Sequence, residues 1–376
     1  MLTKSQSQLL ELIKAGLWRK PLDLTLFDSG QVDWYEILSL CDQQTVTGLV
    51  TDALSTMPKE LRPPKSIFFQ FIKETSEIEK ENRLLYDVIP NLICEFKKDG
   101  ISPIVLKGQG VGLCYPNPYR RTSGDVDLLV GFRLEDYETA KRTIERLGGK
   151  IGEKTKDYRK HAEYTLRDVI VELHGDIQLT ICKNFDNHFH EWMIKCLTKE
   201  ENVRKKSVDS LYIEMPPYRF DAIFIFAHAM NHYLTSGLGL RQICDWMCYL
   251  SKNNDKIDLN QLKQDVEFLG LTKLWKYFAS LAVDGLGMNK ELIPMYDVKF
   301  SAHSDRLLHH IFSTGNFGYL QRKKQIYRGN ILVKKTKTLY GQLFVYWDNL
   351  WLLPTETFYC FNHFIIKGFK DLYRRT

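Results

Sequence analysis

Leu106-Lys107-Gly108-Gln109-Gly110-Val111-Gly112-Leu113-Cys114-Tyr115-Pro116-Asn117-Pro118-Tyr119-Arg120-Arg121-Thr122-Ser123-Gly124-Asp125-Val126-Asp127-Leu128-Leu129-Val130 is the stretch on which the fold turns. The apolar run Pro103 to Leu106 reads as a short buried strand entering a glycine turn. Val126, Leu128 and Val130 alternate with Asp125, Asp127 and Leu129, the period-two pattern of a second strand. Two carboxylates two residues apart on a strand share a face and repel one another. A divalent cation relieves that repulsion, and Mg²⁺ favours carboxylate oxygens together with substrate phosphates. The blander reading is a solvated face of an edge strand.

Downstream, Glu135 to Leu147 reads as a helix closed by Gly148-Gly149. Tyr158 to Leu166 and Val169 to His174 read as two strands joined in a hairpin at Arg167-Asp168. Glu172 stands on the second of these with Val171 and Leu173 on the opposite face. A carboxylate on a mostly apolar strand needs a partner, because burying a charge is costly. A cation shared with Asp125 and Asp127 would be one.

On both sides of this small α/β unit the sequence is helical. Ser5 to Ala15 carries an apolar stripe, and Asp33 is placed to cap a helix starting at Trp34. A long helical pattern begins after Pro63-Pro64, with a kink or break expected at Pro90 and a stop near Gly100. Beyond the unit, Asp221 to Tyr233 and Leu240 to Leu250 flank the break at Gly237 and Gly239. Asn260 to Leu286 follows, with a break expected at Gly270. The organisation expected is a helical region over 1–100, a mixed α/β core over 101–215, and a helical region over 216–376 ending in a basic aromatic tail.

The 376 residues are 44% hydrophobic and 26% charged, which excludes a disordered or fibrous chain. The net charge of +6 is mild, but it is unevenly placed. Residues 321–376 hold 11 Lys and Arg against 3 Asp and Glu, so the preceding 320 residues are slightly acidic. Seven cations between Arg322 and Lys337 suggest either a polyanion surface or a solvated face. The eight cysteines form no C-x-x-C pair and read as reduced thiols in a cytoplasmic protein. No uncharged apolar run is long enough to span a membrane.

A strand, a glycine turn opening a helix, a strand with two acids and a third acid on a later strand resemble the DNA polymerase β-type nucleotidyltransferase superfamily. The segment from Leu106 to Val130 is similar, more closely, to a family of uncharacterised bacterial nucleotidyltransferases. That family's pattern of L-K-G, Tyr-Pro, Arg and D-[IV]-D-L-L-V is matched by Leu106, Lys107, Gly108, Tyr115, Pro116, Arg121, Asp125, Asp127, Leu128, Leu129 and Val130. Its acid-hydrophobe-His triplet is matched by Glu172-Leu173-His174. Its helical H-x-x-x-H and the segment after it are matched by His228, His232, Gly237, Leu240, Arg241 and Asp245.

The resemblance implies an α+β fold in which a polymerase β-like core, a small mixed sheet with flanking helices, sits between helical regions. It implies Mg²⁺-dependent transfer of a nucleoside monophosphate from an NTP, with ATP the expected donor, to a hydroxyl-bearing acceptor. Asp125, Asp127 and Glu172 would hold two Mg²⁺ ions, with Glu172 as third ligand or general base. Lys107, Gly108, Gln109, Arg121, Gly124 and His174 would face the nucleotide. His228, His232, Arg241 and Asp245 would line an acceptor cleft; read on spacing alone, Arg241 and Asp245 form an ordinary i, i+4 helix pair. Gln109 stands where the superfamily commonly has Ser or Gly. That departure supports an alternative, a catalytically inactive nucleotide-binding regulatory or interaction protein. The basic tail supports another, an RNA-directed or toxin-like transferase, although no RNA-binding motif is present.

Overall fold

The structure, a computed structural model, describes residues 2–27, 32–153, 155, 160–177, 179, 183–198, 203–208, 211–235 and 237–316, with scattered positions between 350 and 366. The basic tail read from the sequence therefore lies almost wholly outside the described residues.

Helix α1 (Lys4–Trp18) opens on a reciprocal cap, in which Gln6 N–H donates to Thr3 Oγ1 and Thr3 N–H to Gln6 Oε1. Helix α2 (Trp34–Gln44) starts where the sequence places it, with the Asp33 carboxylate accepting from Glu36 N–H at 2.9 Å. Helix α3 (Thr47–Thr56) follows, and helix α4 (Lys65–Lys98) runs 34 residues without interruption through Pro90. Of the kink or break expected there, the break does not occur. An interior proline costs roughly 3 kcal/mol, but Val88, Ile89, Leu92 and Ile93 around it are all buried against the sheet. Their burial, worth roughly 1.5–3 kcal/mol each, outweighs the missing hydrogen bond. The helix ends as expected, with Gly100 at φ +80° and Ile101 N–H returning to the Phe96 carbonyl at 2.9 Å.

The core follows as strand β1 (Ile104–Val105), the single turn α5 (Gly108–Gly112), strand β2 (Asp125–Leu129), helix α6 (Leu134–Arg146), and strands β3 (Lys150–Ile151), β4 (His161–Leu166) and β5 (Val169–His174). Then come helix α7 (Lys183–Leu197) and strands β6 (Arg204–Val208) and β7 (Leu211–Met215). They form one seven-stranded mixed sheet in the order β3-β4-β5-β2-β1-β7-β6. β5 runs parallel to β2 and β7 parallel to β1, while the other neighbours are antiparallel. The hairpin expected at Arg167-Asp168 is there. Both residues have positive φ, +50° and +66°, as a two-residue primed turn requires.

One face of the sheet is apolar. Val126, Leu128, Val171, Leu173, Ala162 and Tyr164 pack under α4 and α6. The other face carries the acids. Helices α8 (Tyr218–Thr235), α9 (Leu240–Asn253), α10 (Leu259–Phe268), α11 (Thr272–Ser280) and α12 (Ser304–Thr314) complete the described chain. Gly270, at φ +70°, separates α10 from α11 as the sequence suggests. These helices and the N-terminal ones share a single core that includes Leu12, Ile13, Leu49, Phe226, Trp246, Trp275 and Ile311. Trp18 Nε1 donates to the Leu286 carbonyl, and Gln44 bonds both Ile311 and Leu240 main chains. Among the described residues, no helix is long and apolar enough to cross a membrane, and six of the cysteines are free thiols. The α+β architecture expected from the sequence is the one observed.

Candidate functional site

The pairing of β2 with β5 assembles the acidic face. In this parallel register Asp127 lies opposite Glu172, and Leu129 opposite His174. Because residues two apart share a face, Asp125, Asp127, Glu172 and His174 all project to the same side. Ligand-capable oxygens of Asp125, Asp127 and Glu172 lie within 4.8 Å of one another. The β4–β5 hairpin adds a residue the sequence reading passed over: His161 stands opposite His174. Its Nε2 is 3.1 Å from Glu172 Oε2, while His174 Nε2 is 2.9 Å from Asp127 Oδ1 and 3.7 Å from Glu172 Oε2.

Lys107 enters from the end of β1. Its φ is +25°, and Gly108 after it is at +34°, so the backbone turns through a strained conformation at this point. The turn directs the ammonium inward, 3.1 Å from Asp127 Oδ1 and 3.5 Å from His228 Nε2. The structure thus brings Lys107 onto the carboxylates themselves. Gln109 donates from Nε2 to the Asp125 carbonyl at 3.0 Å, tying the glycine turn to the start of β2. Gly124 is exposed just ahead of that strand.

Charge crowding separates the two aspartates. The neighbouring Asp127 charge, then burial, pushes Asp125 up to about 6. Asp127 is 1% exposed, which would raise it too, but Lys107 and His174 outweigh burial and hold it well below the usual carboxylate range. Glu172 is lowered in the same way: its burial is overcome chiefly by the hydrogen bond from His161. Burial opposes the charge of Lys107, yet Asp127, Asp125 and Glu172 keep its affinity for the proton above the ordinary value. On α8, burial and then Lys107 push His228 down, and the same pair of causes lowers His232 to about 3. The two imidazoles sit one turn apart, Nε2 to Nε2 at 3.3 Å.

Arg121, expected to face the nucleotide, is engaged with α9. Its side chain is 5% exposed and clamps Asp245 on α9 with two bonds, Nε to Oδ1 at 2.7 Å and Nη2 to Oδ2 at 2.8 Å. Arg241 reaches the same carboxylate at 3.1 Å, as its i, i+4 spacing predicts, and Tyr115 Oη donates to it at 2.7 Å. On the other side Asn82 of α4 donates to the Tyr119 and Arg121 carbonyls, and Tyr86 to the Gln109 carbonyl. The loop between α5 and β2 is therefore anchored to helices from both ends of the chain. Arg241 and Asp245 border this loop, and His228 and His232 border Lys107. Asn82, Tyr86 and Ser123, which accepts from Arg121 Nη1, carried no signal in the sequence beyond sitting on helical or loop positions.

The donors suit a hard divalent cation. Three carboxylates converge, and Asp127 Oδ2 is buried with no hydrogen-bond partner among the described residues. A buried carboxylate oxygen left so is costly unless something else satisfies it. No curated protein matches the chain. A family described as uncharacterised nucleotidyltransferases matches residues 30–287, which takes in α2 to α11 and every residue of the acidic face. With most of its length so matched, the chain belongs to that family of uncharacterised nucleotidyltransferases.

Proposed function

We propose that the chain transfers a nucleoside monophosphate from an NTP, with ATP the first candidate, to a hydroxyl-bearing acceptor. The observation that carries this reading is the convergence of Asp125, Asp127 and Glu172 on one sheet face beside Lys107. In this reading the acceptor oxygen attacks the α-phosphorus in line, the bond to the β,γ-phosphates breaks, and pyrophosphate leaves. Asp125, Asp127 and Glu172 would hold Mg²⁺, which when bound neutralises charge on the phosphate oxygens and lowers the pKa of the attacking hydroxyl.

The chain's own groups do the rest. Lys107, already deep among the carboxylates, supplies a fixed positive charge beside the phosphates. The Lys107-Gly108 turn presents main chain to them without side-chain obstruction. The acceptor hydroxyl, acidified by the bound metal, would release its proton to water. Before a metal binds, His174 holds Asp127 and His161 holds Glu172. The Asp245 clamp on Arg121 fixes the loop that joins the phosphate turn to the acidic strand. His228 and His232 form the uncharged wall on which an acceptor would lie.

The test is calorimetry with ATP, with and without Mg²⁺, on the full chain and on Asp125→Asn/Asp127→Asn, coupled to a pyrophosphate-release assay. Mg²⁺-dependent binding in the parent and its loss in the double variant are expected. No Mg²⁺-dependent nucleotide binding by the parent would overturn the reading.

A further inference from the structure

The acidic face also contains nitrogen. His161 Nε2 and His174 Nε2 both point at Glu172 Oε2, and these three ligand atoms lie within 4.8 Å of one another. Asp127 Oδ1 is 2.9 Å from His174 Nε2. Ligands placed about 2.0–2.2 Å from a divalent metal stand about 3.0 Å apart when adjacent in an octahedron and about 3.4 Å apart in a tetrahedron. The contacts of 3.1 and 3.7 Å straddle those edges. Three donors from the β4–β5 hairpin, His161 Nε2, His174 Nε2 and Glu172 Oε2, are thus already within reach of one ion. Strands hold side chains more firmly than loops do, so little ordering remains to be done on binding.

The donor types decide which ion fits. Mg²⁺ binds oxygen and gives up water reluctantly, whereas imidazole suits ions further along the transition series. Charge points the same way. Asp125, Asp127 and Glu172 against Lys107 leave a formal −2, and Glu163 lies opposite Glu172 on the same face, so the position attracts a divalent cation. The unpartnered Asp127 Oδ2, in a side chain 1% exposed, supplies a further buried oxygen beside that position.

We propose that His161, His174 and Glu172 form a resident site for one nitrogen-ligated divalent cation of the Mn²⁺ type, next to the all-oxygen position of Asp125 and Asp127. The second ion then arrives with the nucleotide, and this last step alone rests on the transferase reading. The two histidines discriminate between metals, a role apart from orienting the acids.

The test uses the full chain without a polyhistidine tag, stripped of metal and free of nucleotide. Mn²⁺ or Mg²⁺ alone is titrated in, and bound Mn²⁺ is examined by electron spin-echo modulation, which reads directly coordinated ¹⁴N. One equivalent of Mn²⁺ with nitrogen coupling is expected, at least tenfold tighter than Mg²⁺. His161→Ala and His174→Ala should each weaken Mn²⁺ at least tenfold and reduce the nitrogen signal. Asp125→Asn should weaken it less than either and leave the nitrogen signal intact. If the histidine variants fail to fold, the parent's nitrogen coupling decides. Bound Mn²⁺ without nitrogen coupling, no binding in the absence of nucleotide, or equal affinity for Mg²⁺ would each overturn the proposal. Nitrogen-coupled Mn²⁺ in a chain that binds no nucleotide would overturn the transferase reading and leave this site standing.

Discussion

Asp125 is held against its preference in the ion-free chain. Its carboxyl titrates near 6 in the folded state against 3.8 for an unperturbed one, because the Asp127 charge faces it. Between those values the native chain keeps a proton that the unfolded chain has lost, so stability falls as pH rises through the window. Asp125→Asn should flatten that slope and raise metal-free stability at pH 8 by on the order of 1–3 kcal/mol, while removing transferase activity. Urea unfolding at pH 4.5 and pH 8, parent against variant, checks it. Asp245 is the opposite case. It is the shared partner of buried Arg121 and half-buried Arg241 and accepts from Tyr115. Asp245→Asn leaves two guanidiniums without their counter-charge and should cost about 3–5 kcal/mol, measured by urea unfolding at pH 7.

At the scale of elements, much of the site is readable from register. The acid pair and Glu172 follow from period-two patterning. His161 could have been found the same way: a two-residue turn at Arg167-Asp168 pairs Leu166 with Val169, and counting outward brings His161 opposite His174. The position of Arg121 could not, since its partner is 124 residues away. Nor were β6 and β7 legible. β6 opens on Arg204-Lys205-Lys206, without the apolar alternation that marks a half-buried strand, and β7 meets β1 through a non-local pairing that propensity does not encode. The continuity of α4 through Pro90 has a related origin: local rules describe the proline, while burial along the rest of α4 keeps the helix going. The hairpin itself invites a change. Arg167 and Asp168 both hold positive φ, where Asn-Gly is the favoured pair. Arg167→Asn/Asp168→Gly should stabilise the chain by about 0.5–1 kcal/mol, seen as a higher urea midpoint at unchanged slope.

At the scale of the molecule, the sequence reads as helices, a mixed α/β core and more helices, but it does not reveal that the outer helices share one interior. Leu307, Leu308, Ile311 and Phe312 of α12 are buried in the same core as α1 to α3. Burying four such side chains is worth roughly 1.5–3 kcal/mol each, in total comparable with the 5–15 kcal/mol that holds a domain folded. A chain stopped at residue 300 should therefore lose its cooperative thermal transition, which near-ultraviolet circular dichroism would follow.

The hydrogen bond from Gln44 to the Ile311 carbonyl has a further consequence, for events on the ribosome. It joins residues 267 apart, and Trp18 reaches Leu286 across 268. Such closures are slow and cannot precede emergence of the later partner. The glycine turn and the acidic strand are complete by residue 130, yet the loop between them is pinned by Asp245 and the surrounding core awaits α12. A nascent chain thus carries its acidic pair through the synthesis of α8 to α12 without the scaffold that would align it, and the aligned face is complete only with roughly the last turns of α12.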